Sequence, residues 1–204
     1  MIAIVDYGSG NIKAIANIYH RRNIPFFIAA QPSDLEKADK IILPGVGAFD
    51  HCMGELEKSG MKEPLNEAVL QHKKQVLGIC VGMQLLAASS EEGTLKGLNW
   101  IDAEVKRFDE VLFSDATHLP HMGWNDVTPV QDDPLFKNVD LKTGYYFLHS
   151  YYFLPHHRED ILAETNYGSR FACAVKYENI YGVQFHPEKS HHAGVGLLEN
   201  FASL

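Results

Sequence analysis

Short apolar runs alternate with helical periodicity through the first half of the chain. Ile2–Val5, Pro25–Ala29, Lys40–Leu43 and Gln75–Ile79 are apolar stretches of strand length. Between them, Asn11–Arg22 places Ile12, Ile15, Ala16 and Tyr19 on one helical face, and further helices are predicted near Ala48–Lys58, Met61–His72 and Met83–Ala88. Strands of this kind separated by helices predict a parallel sheet covered on both faces. From about Trp100 the pattern becomes dense in β-branched and aromatic residues. Glu104–Phe108, Tyr145–Leu148, Tyr151–Leu154, Ile161–Thr165, Ala172–Tyr177 and Ile180–Gln184 are joined by short turns and predict antiparallel strands added to the sheet. Gly194–Leu204, with Val195, Leu197, Leu198 and Phe201 on one side, predicts a terminal helix. No repeat, low-complexity tract or linker interrupts the pattern. The expectation is one α/β domain over residues 1–204, a mixed, mostly parallel central sheet with helices on both faces and an antiparallel extension.

Composition narrows the function classes. The chain has 204 residues, 46% of them hydrophobic, enough to bury a large core without disulfides. Lys+Arg is 18 and Asp+Glu is 26, a net charge of −8. With no basic excess to neutralise phosphates, neither nucleic acid nor an anionic membrane is an expected partner, although a local basic patch is compatible with this balance. Cys52, Cys80 and Cys173 are an odd set with no CxxC pair, which disfavours both a disulfide framework and a zinc-thiolate site. Reduced thiols suggest a cytoplasmic setting. Met1–Asp6 lacks a basic segment and reads as the first strand rather than a signal peptide. No run approaches the ~18 apolar residues of a membrane span.

The chemistry concentrates at Gly78-Ile79-Cys80-Val81-Gly82. This has the form of a nucleophile elbow, and it follows an apolar strand and precedes a predicted helix. A sharp strand-to-helix turn strains the nucleophile's backbone and leaves no room for flanking side chains. A following helix would direct its positive end at the sulfur and favour thiolate. Read alone, Cys80 is also compatible with a small buried core residue. A base is available in Gly182-Val183-Gln184-Phe185-His186-Pro187-Glu188, where His186 closes an apolar strand and Glu188 lies close enough to orient the imidazole. Alone, that pair is as readily a strand-end histidine and a surface charge. Pro44-Gly45-Val46-Gly47-Ala48-Phe49 puts glycine-rich backbone after a strand, so the Val46 and Val81 N–H groups are candidate oxyanion donors. Gly8-Ser9-Gly10-Asn11 lacks the third glycine and the lysine of phosphate loops. His118 and His121, His156 and His157, and His191 and His192 cluster without ligand spacing, so no metal and no cofactor is expected. The aromatic runs Tyr145–Phe147 and Tyr151–Phe153 read as hairpin core, and Glu91-Glu92 as a solvated helix end.

In their order, PGVGAF (44–49), GICVGMQ (78–84), SSEEG (89–93), PHMGWN (120–125), YFLHSY (146–151) and QFHPEKS (184–190) make the chain similar to the class I, triad-type glutamine amidotransferases. Among them it most resembles the glutaminase subunits of imidazole glycerol phosphate synthases, over nearly its whole length. The resemblance implies a Cys80–His186–Glu188 triad that hydrolyses the side-chain amide of glutamine through a glutamyl thioester. Gln84 and Glu92 would hold the substrate, with Gly47, Ser150 and Tyr151 nearby. Val46 and Val81 would form the oxyanion hole. The resemblance also implies a heterodimer in which ammonia passes to a (βα)₈-barrel cyclase subunit of histidine biosynthesis, with Asn11, Trp124, Tyr146 and Lys189 at or near the interface. The chain departs from the family where basic residues often precede PHMGWN, having Asp109–His118 there, and in Asn11-Ile12-Lys13-Ala14. Close relatives supply ammonia for amidination of a surface-polysaccharide sugar, which is the alternative partner reading. Outside the family, the competing functions are a free-standing cysteine hydrolase and a non-catalytic regulatory protein.

Overall fold

The computed structural model describes residues 1–114 and 117–204. Asp115 and Ala116, within the stretch before PHMGWN, lie outside the described residues. The first half lays down β1 (Ile2–Val5), α1 (Ile12–Arg21), β2 (Phe26–Ala29), β3 (Lys40–Gly45), α2 (Phe49–Lys58), α3 (Lys62–Asn66), β4 (Gln75–Cys80) and α4 (Val81–Gln84). The second half supplies β5 (Ser89–Ser90), β6 (Ala103–Arg107), β7 (His121–Asn125), β8 (Thr128–Pro129), β9 (Tyr145–His149), β10 (Tyr151–Pro155), β11 (Ile161–Tyr167), β12 (Ser169–Tyr177), β13 (Ile180–Val183) and α5 (His191–Ser203).

Among the described residues, eleven strands share one sheet along the path β2-β1-β3-β4-β13-β12-β10-β6-β5, with β11 on β12 and β8 on β11. The block β2-β1-β3-β4-β13 is parallel, and β12 turns the sheet antiparallel. β1, β3 and β4 are buried along nearly their whole length, which is why they read as unbroken apolar runs. The chain leaves β1 towards β2 in one direction and β3 towards β4 in the other. Right-handed crossovers therefore place α1 on one face and α2–α3 on the opposite face. Tyr19 of α1 donates to the Leu198 carbonyl of α5 at 3.3 Å, so these two helices share a face. Between β1 and β3 the winding reverses, and the carboxyl ends of the strands there frame a crevice, the preferred place for a ligand in such sheets.

Three sequence expectations are corrected. Tyr145–Leu148 does not join the central sheet: β9 pairs antiparallel with β7 in a separate two-stranded ribbon. β7 itself escapes the sequence pattern, because it buries His121 and turns Met122 and Trp124 outward, the reverse of an ordinary apolar alternation. Ile180–Val183 is antiparallel to β12 but parallel to β4, so it completes the parallel block. The helix expected at Met83–Ala88 is instead the four-residue α4, starting directly after Cys80.

Candidate active site

Cys80 sits at the last position of β4 with φ +55° and ψ −113°, strained for a residue with a side chain. The elbow is possible because two positions lack a Cβ. One added at Gly82 would lie 1.9 Å from the Leu43 carbonyl oxygen, and one at Gly78 would lie 2.7 Å from the Gly82 carbonyl oxygen. β13 lies beside β4 in register Val183↔Ile79, so the chain leaving β13 brings Gln184, Phe185 and His186 alongside the elbow. The HPE turn is fixed to the ribbon by three bonds. His186 N donates to the Tyr146 carbonyl at 2.8 Å, Ser190 Oγ donates to the His186 carbonyl at 2.6 Å, and Tyr146 N donates to Ser190 Oγ at 3.0 Å.

These elements bring His186 and Glu188 beside the Cys80 elbow. His186 Nδ1 is 2.8 Å from Glu188 Oε1, and His186 and Cys80 line the same cavity. Burial opposes a charged imidazole, but its interactions with Cys80 and Glu188 outweigh it and raise His186 to about 10. Burial also opposes the Glu188 carboxylate, and its bonds from His186 and Asn11 outweigh that in turn, holding it below the usual range. Asn11 Nδ2 donates to Glu188 Oε1 at 2.7 Å, so a residue expected at a partner surface also supports the triad. Glu188 Oε2 is buried with no hydrogen-bond partner among the described residues. The sulfur itself receives Gln184 Nε2 at 3.8 Å and approaches the Leu148 carbonyl at 3.9 Å. Burial pushes the Cys52 and Cys173 thiols up. With α4 only one turn long, these polar partners rather than a long helix dipole surround the sulfur.

A cavity of about 340 Å³ opens onto this cluster, and Asn11, Val46, Gly47, Val81, Gln84, Glu92, Ser150, Tyr151 and Lys189 all line it, as do Cys80 and His186. Glu92 is not simply a solvated helix end. Its Oε2 accepts from Phe49 N at 2.8 Å at the start of α2, leaving Oε1 for a cationic ligand. Gln84 Nε2 donates to the Tyr151 carbonyl at 3.1 Å and to Gln184 Oε1 at 3.0 Å, so Oε1 is the atom it can offer. Val81 N–H heads α4 and has no partner within that helix. The Val46 peptide is arranged differently from the expectation: its N–H donates to Ser9 Oγ at 3.0 Å and its carbonyl accepts from the same hydroxyl at 2.9 Å. In this conformation that donor is committed to Ser9 rather than presented beside Cys80. Lys189 stands 5.5 Å over the Tyr146 ring. Trp124 lies outside the cavity, 6.4 Å from Tyr146 and stacked on His191 at 5.0 Å.

The clustered histidines resolve into other arrangements. Among the described residues no group of three or more His, Cys, Asp or Glu is placed to hold a metal. His156 and His157 both bond Asp102, at 2.9 and 3.0 Å. His149 Nδ1 is 2.7 Å from the Tyr151 carbonyl, which can only accept, so its Nε2 is the acceptor for His121 Nδ1 at 3.0 Å. Asn125 Nδ2 then donates to His121 Nε2 at 3.1 Å. A proton on either ring would set donor against donor. Burial holds His121 down at about 4, and burial with the neighbouring His121 holds His149 down at about 3. Both folded values lie below the ordinary 6.5, so the unfolded chain binds more protons in acid. The stabilisation is fully present above about pH 6.5 and is lost as pH falls towards 4 and 3. The thermal midpoint is expected to begin falling near pH 6.5, and imidazole NMR is expected to find both rings still neutral at pH 5. Titration of either ring above pH 6 would contradict the assignment.

Fold and site together define the class I glutamine amidotransferases, and the model of that family, described as "Glutamine amidotransferase class-I", matches residues 3–203. The chain is 52% identical over 204 residues to imidazole glycerol phosphate synthase subunit HisH of Bdellovibrio bacteriovorus, covering 100% of both chains. It is 48% identical over 204 residues to the subunit of the same name from Leptospira interrogans, again covering 100% of both. The fold is shared with the structure of PurLQS from Thermotoga maritima, with TM-score 0.71, 17% identity, and 99% of this chain and 96% of that one covered. The chain belongs to the class I glutamine amidotransferases, in the branch of the imidazole glycerol phosphate synthase subunits named HisH.

Proposed function

We propose that residues 1–204 act as one glutaminase domain that splits the side-chain amide of glutamine and delivers ammonia to a docked synthase subunit. One observation carries the reading: Cys80, held at a strained elbow with His186 and Glu188 behind it, faces a cavity that also presents Glu92 and Gln84. The Cys80 thiolate attacks the amide carbon, and the negative oxygen of the tetrahedral adduct is met by backbone N–H groups. His186 gives its proton to the departing nitrogen, which leaves as ammonia. The thioester is then hydrolysed by a water that His186 deprotonates, releasing glutamate and the free thiol. The Glu92 carboxylate suits the substrate ammonium, which favours an amino-acid substrate over the peptides or esters of a free-standing hydrolase.

The partner reading is a (βα)₈-barrel cyclase subunit in a heterodimer, in the cytoplasmic setting that three unpaired thiols suit. It is supported by relatives at 42–52% identity bearing the synthase subunit's name, and the sugar-amidination alternative is not favoured. It is supported also by the outer face of the β7–β9 ribbon, where Met122, Trp124 and Leu148 are exposed beside Tyr146 and the cavity mouth carries Asn11 and Lys189. Among the described residues no helix is long and apolar enough to cross a membrane.

With Val46 N–H held by Ser9, the isolated chain is expected to be nearly idle, and partner docking to turn the Gly45–Val46 peptide so that this donor faces the substrate. Glutamate release should rise on adding the cognate synthase subunit by about 10²–10³, the value of one oxyanion donor. Ser9→Ala is expected to raise the partner-free rate several-fold. A full rate from the wild-type chain alone would overturn the gating, and faster cleavage of peptides or esters than of glutamine would overturn the substrate.

A further inference from the structure

We propose that Gln184 belongs to the catalytic machinery: its side-chain amide donates a hydrogen bond to Cys80 Sγ that favours the thiolate. The inference rests on Cys80 being the nucleophile and adds a residue that the triad does not include.

Gln184 is 0% exposed and leaves β13 directly opposite the elbow, since Val183 pairs with Ile79 and the next position along each strand is Gln184 and Cys80. Its backbone N–H donates to the Cys173 carbonyl at 2.9 Å, which fixes where the side chain starts. The orientation of its amide then follows from a chain of obligations. The Tyr151 carbonyl only accepts, so the Gln84 atom 3.1 Å from it is the nitrogen. That nitrogen's other hydrogen points at Gln184, 3.0 Å away, so the Gln184 atom there is the oxygen. Gln184 Nε2 is left facing Cys80 Sγ at 3.8 Å.

The sulfur thus has two polar neighbours of opposite preference besides His186. The Leu148 carbonyl, 3.9 Å away, can only accept and favours the protonated thiol. The Gln184 amide can only donate from this side and favours the thiolate. A buried amide donor aimed at the sulfur offsets the carbonyl and leaves the balance to the imidazole. It is also a fixed dipole that needs no reorganisation when the sulfur loses its proton.

Two substitutions separate donation to sulfur from support of Gln84. Gln184→Glu keeps the shape and an oxygen for Gln84 Nε2 but places a carboxylate oxygen on the sulfur side. Gln184→Met is close in volume and removes both functions. The full-length chain is alkylated with iodoacetamide across pH 5–10, the labelled cysteine is identified by mass spectrometry, and thermal midpoints confirm folding. If the amide acts on the sulfur, both variants alkylate Cys80 about 10-fold or more slowly at pH 7, and the inflection of the rate–pH curve moves to higher pH. Should Gln184→Glu not fold, Gln184→Met carries the same expectation. An inflection unchanged in the folded variants, with label still on Cys80, would overturn the role of Gln184 while leaving the nucleophile intact. Label on Cys52 or Cys173 in the wild-type chain would instead overturn the nucleophile, and this inference with it.

Discussion

Cys80→Ala is expected to leave a folded chain that binds glutamine and does not turn it over, with kcat reduced by about 10⁴ or more, as for the loss of a nucleophile from a triad. The change removes one sulfur from a residue that is 3% exposed, so the packing loss is small against the catalytic loss. The strained backbone at φ +55° is imposed by β3 and the two flanking glycines, not by the thiol, and an alanine inherits it. No other thiol can substitute. Cys52 lies under the glycine loop, 3.2 Å from Ser9 Oγ, and Cys173 is fully buried in β12, both with thiols pushed up by burial. Glutamate release with the cognate partner bound, together with calorimetric binding of glutamine to the variant, checks both halves. Turnover within 100-fold of the wild-type rate would exclude Cys80 as nucleophile.

The parts of the site visible in the sequence are those whose logic is local. The elbow needs its two glycines within two residues of Cys80, and the HPE turn holds His186 and Glu188 two apart. Both therefore stand out against the apolar strands that precede them. What was not legible depends on pairings between distant segments. Gln184 reads as one polar residue at a strand end until β13 is laid against β4, which brings it to a sulfur 104 positions earlier. Ser9 reads as part of a small-residue turn, and its hold on Val46 spans 37 residues. His121 and His149 are directly opposite in the β7–β9 register, yet β7 hides its strand character by facing its apolar side chains outward. That inversion is itself informative. A strand that buries His121 and exposes Met122 and Trp124 is shaped by what lies outside it as well as by the core.

The inner polar groups thus form a continuous path from the ribbon to the Cys80 sulfur. It runs from Asn125 through His121 and His149 to the Tyr151 carbonyl, and from there through Gln84 and Gln184 to the Cys80 sulfur. Each member satisfies the next, which is the condition for polar groups to be tolerated at this depth. The triad's far end is less complete, because Glu188 Oε1 takes both donors and Oε2 takes none.

That asymmetry sets the outcome of Glu188→Gln, for which kcat is expected to fall by about 10³–10⁴ while KM for glutamine changes little. The side chain is nearly isosteric and does not line the substrate cavity, so binding is left alone. If the new amide keeps its oxygen towards His186 and Asn11, its NH₂ takes the place of Oε2, and the neutral amide cannot stabilise the imidazolium as the carboxylate does. If it turns over, its NH₂ faces the Asn11 amide, which can only donate there, and His186 Nδ1 must give up its proton. The imidazole is then driven to the tautomer with its hydrogen on Nε2, facing the sulfur it should deprotonate. In both cases the imidazolium loses the carboxylate that helps hold it high, so the alkaline limb of kcat/KM moves to lower pH. Steady-state profiles with the partner bound, from pH 6 to 10, read both effects at once. A loss of less than tenfold, with the alkaline limb in place, would mean that Glu188 neither orients nor charges His186.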